Sequence, residues 1–157
     1  AGGADQCEDI AMLCLKVNET QGDDELTVDA TLENLDTVQE FIEKKLNDEG
    51  CPKKTAIQIS IAVEEIYVNI AHYAYAPGTG SATVRAYICD DPHGIVIRFY
   101  DRGVPFDPLA KPDADTTLSA DEREIGGLGI LMVKKSMDEV TYEYKDGENI
   151  LTLRKNF

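Results

Sequence analysis

The 157-residue sequence has no tryptophan, no long apolar run and no Cys-x-x-Cys pair. Without about 18 consecutive apolar residues, the sequence offers no candidate membrane-spanning helix. It also lacks a charged and apolar leader, so secretion is not predicted. The four cysteines have no spacing typical of a zinc site, and we expect them to be reduced thiols in a cytoplasmic protein.

Basic residues are scarce, since 15 Lys and Arg face 30 Asp and Glu, for a formal net charge of −15. This charge repels phosphate backbones and anionic lipid, so neither nucleic acid nor a membrane is an expected partner. A nucleotide would have to be bound locally, by backbone amides, a few cationic side chains and a divalent cation. The length predicts one domain with a substantial core.

The first 20 residues are predicted to be separate from residues 21–157. Residues 12–17 have the composition of a strand, and a polar linker follows. The stretch ADQCEDIAMLCLKV resembles the C-terminal end of type-2C metal-dependent serine/threonine phosphatases. The resemblance implies an upstream phosphatase domain and matches Asp9 to a metal ligand, although Glu8 and Ala11 depart from the pattern. The alternative is an ordinary N-terminal strand added to the domain.

A long helix is predicted for residues 53–75, where polar residues interrupt an apolar pattern. Glu65 and Asn69 are four residues apart and share one helix face, with His72 about one turn further along. This face would border the core and line a cavity. A solvated surface helix is the alternative. At the start of this segment apolar and polar residues also alternate as in a strand, but the length of the whole segment favours a helix.

The remaining periodicity predicts helices at 32–46 and 130–137, and strands at 25–31, 81–89, 94–100, 139–144 and 150–154. Turns at 90–93 and 146–147 predict two hairpins. Asp101 directly follows the predicted strand 94–100, and Gly103 lies two positions later. An acidic residue and a glycine at the end of a buried strand are typical of a ligand-binding edge. Residues 105–125 contain few apolar residues and predict a loop. The glycines after this loop open a helix whose N–H groups are suited to phosphate.

Three motifs therefore stand in a fixed order: Glu65-xxx-Asn69, Asp101-x-Gly103 and Gly126-Gly127-Leu128-Gly129. They resemble the N-box and the first and second glycine boxes of the GHKL nucleotide-binding superfamily. The stretches EEIYVNIAHYAY, DRGVPFDP, EREIGGLGI and MDEVTYEYKDGENILTL are most similar to anti-sigma factor serine kinases. The resemblance implies an α/β two-layer sandwich (α+β) of the Bergerat type, with helices covering a mixed, mainly antiparallel sheet.

The resemblance also implies roles for the motif residues. Asp101 would accept a hydrogen bond from the adenine amino group of ATP, and Gly103 would let the backbone approach the base. Asn69 would offer an oxygen to Mg²⁺. Gly126, Gly127, Leu128 and Gly129 would hold the phosphates. Glu65 would act as general base, a role worth about 10²–10⁴ in rate.

Charge neutralisation during phosphoryl transfer is assigned to Arg123 in preference to Lys111 and His72, although a solvated charge is the alternative for Arg123. Tyr73 occupies the position of a common histidine in the serine kinases and is included in the predicted ATP site. His72 either contacts phosphate or packs as a hydrogen-bonded histidine, and we favour packing. Pro105 replaces a glycine of many relatives and should stiffen that turn.

The function implied is an ATP- and Mg²⁺-dependent protein serine kinase. It would phosphorylate an anti-sigma-factor antagonist and, when unoccupied by it, sequester a sigma factor, with a homodimer implied only by resemblance. An alternative is a catalytically idle, nucleotide-sensing module fused to a serine phosphatase. A histidine-kinase catalytic domain is disfavoured because no phosphoacceptor helix precedes the N-box.

Overall fold

The computed structural model describes residues 24–110 and 127–157 as a five-stranded sheet with helices packed on it. The strands are β1 (Asp24–Asp29), β2 (Ser81–Asp90), β3 (His93–Asp101), β4 (Glu139–Lys145) and β5 (Glu148–Asn156). The α-helices are α1 (Leu35–Asp48), α2 (Lys53–Asn69) and α3 (Gly127–Ser136). The two-layer α+β architecture predicted from the sequence is confirmed.

The sheet order is β1-β2-β3-β5-β4, and every pairing among these strands is antiparallel. Both predicted hairpins are present, β2–β3 and β4–β5. The second turns at Asp146 and Gly147, which have φ angles of 54° and 80°. Positive φ at both central residues is typical of the turn that matches the twist of two paired strands.

The helices lie on one face of the sheet, which we call the inner face. Alternate strand residues point to it, among them Val84, Ile97 and Leu153, and they form one core with the buried side of the helices. Tyr67 of α2 is fully buried, and its hydroxyl lies 3.0 and 2.7 Å from the carbonyl oxygens of Asp29 and Thr31. The central helix is thereby attached to the end of β1.

The helix boundaries differ from the predicted ones in three places. Residues 32–34 form a separate 3-10 turn before α1. The α-helix predicted through residue 75 ends at Asn69 and continues as a π turn, Ile70–Ala74. The helix α3 begins at Gly127, so Gly127, Leu128 and Gly129 of the glycine box form its first turn. Local periodicity does not distinguish these variants, because each depends on hydrogen bonds set by the surrounding fold.

Several predictions lie outside the described residues: the strand at 12–17, the division at residues 20 and 21, and most of the loop at 105–125. One cysteine prediction is wrong. Cys89 is disulfide-bonded, whereas Cys51 is free as expected. Within residues 24–110 and 127–157, no helix combines the length and apolar character needed to cross a bilayer.

Candidate functional site

The central helix α2 brings Glu65 and Asn69 to the border of the core. Both are half-buried, whereas the adjacent Ile66 and Tyr67 are buried in the core. The position at the core margin predicted from the four-residue spacing is therefore observed. A fully solvated surface helix is not what the structure shows.

Glu65 contacts the second glycine box directly. A Cβ atom built on Gly129 would lie only 2.1 Å from Oε2 of Glu65 and 2.9 Å from its Cδ. No side chain larger than hydrogen fits there unless the carboxylate moves. The structure thus brings Glu65 of the N-box and Gly129 of the second glycine box together.

Asp101 ends β3 with its carboxylate buried and only 7% of the residue exposed. Its Oδ1 accepts hydrogen bonds from the backbone N–H of Gly103 at 3.0 Å and from Nδ2 of Asn149 at 2.9 Å. Among the described residues no donor bonds to Oδ2, so this oxygen can accept a further hydrogen bond. Burial raises the pKa of Asp101 above its ordinary value, and the two hydrogen bonds oppose this shift.

The sequence interpretation missed Asn149, which holds Asp101 in place. Its Nδ2 also donates to the carbonyl oxygen of Val104 at 2.9 Å, while its Oδ1 accepts from the backbone N–H of Phe106 and from the hydroxyl of Tyr142. The buried carboxamide is therefore fully bonded and orders the loop after β3. Asn149 lies one residue before the predicted last strand, and the observed register pairs it with Asp101 on the inner face.

The first glycine box is attached to the end of the long helix. A Cβ on Gly103 would lie 2.1 Å from the carbonyl oxygen of Ala74, and the N–H of Val104 donates to that oxygen at 2.9 Å. The structural need for glycine at 103 is thus a contact with the backbone of Ala74. Approach to an adenine base stays a prediction.

Tyr75 also links these segments and was missed as a site residue. Its hydroxyl donates to the carbonyl oxygen of Ser81 at 2.6 Å and accepts from the N–H of Arg102 at 2.7 Å. Its position as the last residue of the predicted helix, directly before the Ala-Pro-Gly turn, was the available signal. The end of the helix, the start of β2 and the Asp101 loop are consequently held together.

His72 and Tyr73 lie in the π turn and are exposed, with ring centroids 5.9 Å apart. The preference for a packed His72 is therefore wrong. A π turn holds more residues than an α-turn, so the predicted position of His72 relative to Asn69 also changes. Contact of either ring with phosphate stays a prediction.

Other predicted site residues are described in part. Gly127, Leu128 and Gly129 lie in the first turn of α3. Arg123, Lys111 and Gly126 fall outside the described residues, and their roles stay predictions. In residues 24–110 and 127–157 no three His, Cys, Asp or Glu side chains gather as a metal site, so a cation held by Asn69 would need other oxygen ligands.

The comparisons with known proteins identify a family. The family described as the histidine kinase-like ATPase domain matches residues 28–155. The serine/threonine-protein kinase BtrW of Bordetella bronchiseptica is 25% identical over 95 residues, which are 60% of this chain and 66% of that protein. The chain thus spans just under two thirds of this relative.

Two solved structures share the fold. The RsbU and RsbW domains of Rv1364c from Mycobacterium tuberculosis superpose with a TM-score of 0.58 at 19% identity, over 85% of this chain and 32% of that chain. The SiaB-SiaC complex from Pseudomonas aeruginosa gives 0.56 at 18% identity, over 92% and 97%. The chain spans about a third of the first structure, and the GHKL-type fold predicted from the motifs is confirmed.

Proposed function

Because the chain belongs to the family of histidine kinase-like ATPase domains, we propose that it is an ATP-dependent protein serine kinase of the anti-sigma factor type. The contact between Glu65 and Gly129 is the observation that carries the proposal. It joins a carboxylate suited to proton removal with a glycine-rich helix start suited to phosphate.

The two glycine boxes meet different points of one continuous helical segment, formed by α2 and the π turn after it. Gly129 contacts Glu65, Gly103 contacts Ala74, and Asn69 lies between them along the chain. The two contacts are nine residues apart, which is at most about 13 Å at the α-helical rise, because the last five of these residues lie in the π turn. This separation supports one extended nucleotide lying along the helix, with its base at one contact and its phosphates at the other.

The residues present fit an adenine nucleotide. Oδ2 of the buried Asp101 would accept from the adenine amino group, while Asn149 and the N–H of Gly103 hold Oδ1. The carboxamide of Asn69 would supply one ligand of Mg²⁺, which takes most of its oxygens from phosphate and water. ATP bound in this way supplies the phosphoryl group that is transferred.

In this site Glu65 removes the proton from the attacking serine hydroxyl. Arg123, from the segment before the glycine box, is proposed to neutralise the charge that develops on the transferred group. The substrate is proposed to be a small anti-sigma-factor antagonist, and a sigma factor is the second partner. Similarity to a serine/threonine-protein kinase and to a protein complex supports protein partners.

Phosphotransfer from labelled ATP to the antagonist tests the proposal. We expect Glu65→Ala to lower the transfer rate by about 10²–10⁴ while ATP still binds. The matched control is Glu64→Ala, because Glu64 is the exposed neighbour on the same helix. Undiminished transfer by Glu65→Ala would remove Glu65 as the base. Acid-labile label on histidine would favour the histidine-kinase hypothesis.

The idle sensor fused to a phosphatase remains the second candidate. It is supported by the structure of the RsbU and RsbW domains of Rv1364c, in which this chain matches only 32% of a chain that contains two named domains. ATP binding without transfer to any serine partner would favour it over the kinase.

A further inference from the structure

The face of the sheet that points away from the helices is buried at one end. Tyr87, Cys89 and Val96 form a separate cluster there, each 4–6% exposed, and Arg154 is 4% exposed. The strand register pairs Tyr87 with Val96 and Val96 with Arg154. We call these four residues the outer cluster. Two residues before Tyr87, on the same face of β2, the side chain of Arg85 is 46% exposed.

No helix in the described part of the chain covers the outer cluster. The buried residues of the helices belong to the inner core, and the outer cluster contains strand residues alone. A tyrosine on an open sheet face would keep much of its ring in water. The low exposure therefore indicates an occupant that is not among residues 24–110 and 127–157.

The chemistry of the cluster indicates what the occupant carries. Three of its residues, Tyr87, Cys89 and Val96, offer a largely apolar surface. Arg154, in contrast, has Nε and Nη2 buried without a hydrogen-bond partner. A guanidinium withdrawn from water without an acceptor is strongly destabilising. The occupant should therefore combine apolar side chains with at least one carboxylate.

We propose that residues 1–23 of this chain cover the outer cluster, with the apolar stretch 12–17 on the three apolar residues and a carboxylate on Arg154. The composition fits, since this segment contains five acidic residues and one lysine. Cys89 is disulfide-bonded and Cys51 is free, and the other cysteines of the chain, Cys7 and Cys14, both belong to this segment.

The chain length also fits. The segment leads into β1 at the sheet edge, and Arg154 lies on β5, three strand spacings away, or about 14 Å. Residues 18–23 alone span about 20 Å when extended. The segment then acts as part of this domain, which favours the added N-terminal strand over the tail of an upstream phosphatase. The inference does not depend on kinase activity.

Thiol mapping of the full chain tests the proposal. The reduced native protein is treated with diamide, which accepts the two electrons and two protons released when two thiols join. The monomer and any disulfide-linked dimer are then separated and digested without reduction. We expect a peptide linking Cys89 to Cys7 or Cys14 within one chain. A disulfide between two chains would assign the outer cluster to a second copy of the chain. The absence of any disulfide at Cys89 would show that residues 1–23 do not lie on the outer cluster. Either result overturns the proposal.

A second measurement works without oxidation. In the reduced native protein we expect Cys89 to be alkylated at least about tenfold more slowly than Cys51. Leu13→Asp with Leu15→Asp should raise the rate at Cys89, because charges would displace the segment, whereas Gln21→Asp serves as the control outside the apolar stretch. Equal rates at Cys89 and Cys51 in the unsubstituted protein, or no increase in the double variant, would contradict the docking.

Discussion

We expect Gly129→Ala to displace the carboxylate of Glu65 without destabilising the fold. The new methyl group would lie 2.1 Å from Oε2 of Glu65, whereas ordinary contacts begin at 3.4 Å, so the carboxylate must retreat by about 1.3 Å. Oε2 is the free end of a flexible side chain, and it can move without disturbing the backbone. The substitution therefore acts on one functional group.

The two expected effects have opposite signs. Alanine is favoured over glycine within a helix by about 0.8–1.0 kcal/mol, so the free energy of unfolding should stay the same or rise. A displacement of about 1 Å at a reacting group can lower a rate by about 10²-fold. We therefore expect a stable protein that binds ATP but transfers phosphate about 100-fold more slowly.

The assay pairs thermal unfolding with initial rates of phosphotransfer. The control is a double-mutant cycle, in which Gly129→Ala combined with Glu65→Ala should be no slower than Glu65→Ala alone, because the displaced group is already absent. An unchanged rate for Gly129→Ala would show that the position of Glu65 beside the glycine box has no catalytic use. A large loss of stability would show that the helix cannot accept the methyl group.

Three other substitutions test the opposite end of the site. Asp101→Asn should weaken ATP binding about 10- to 150-fold by calorimetry. Burial raises the pKa of Asp101 in the folded protein above its ordinary value of 3.8. The protonated side chain therefore stabilises the fold below pH 3.8, and this stabilisation is lost as the pH rises through the folded pKa. The variant lacks this loss, so its stability relative to the unsubstituted protein should increase with pH in thermal unfolding. Asn149→Ala should lower the free energy of unfolding by about 1–3 kcal/mol, because buried partners lose their bonds. Gly103→Ala should also cost about 1–3 kcal/mol in urea unfolding, because its Cβ would collide with the rigid backbone of Ala74.

Exposed residues provide the controls. Asp48→Asn and Asn47→Ala, at the end of α1, should change neither ATP affinity nor stability measurably. If Asp101→Asn binds ATP as tightly as the unsubstituted protein, Asp101 does not belong to the adenine site. If the difference in stability between the two proteins does not change with pH, the raised pKa of Asp101 is contradicted. Unchanged stability in Asn149→Ala or Gly103→Ala would show that the loop after β3 does not depend on those contacts.

Much of the site was predictable because its parts are short and local. The spacing of Glu65 and Asn69 places both on one face of any helix, and a glycine cluster before an apolar segment predicts a helix start. Asn149 and Tyr75 were missed because each acts through partners far away in sequence. The exposure of His72 was missed because the π turn depends on how the helix end packs.

The sequence by itself determined the kind of elements, their order and the three motifs, because periodicity and turn chemistry act over a few residues. Only the tertiary structure decided that Glu65 lies against Gly129, that Asn149 holds Asp101, and that one part of the outer sheet face is buried. These facts depend on strand register and helix packing, which join residues distant along the chain through contacts that no local pattern encodes.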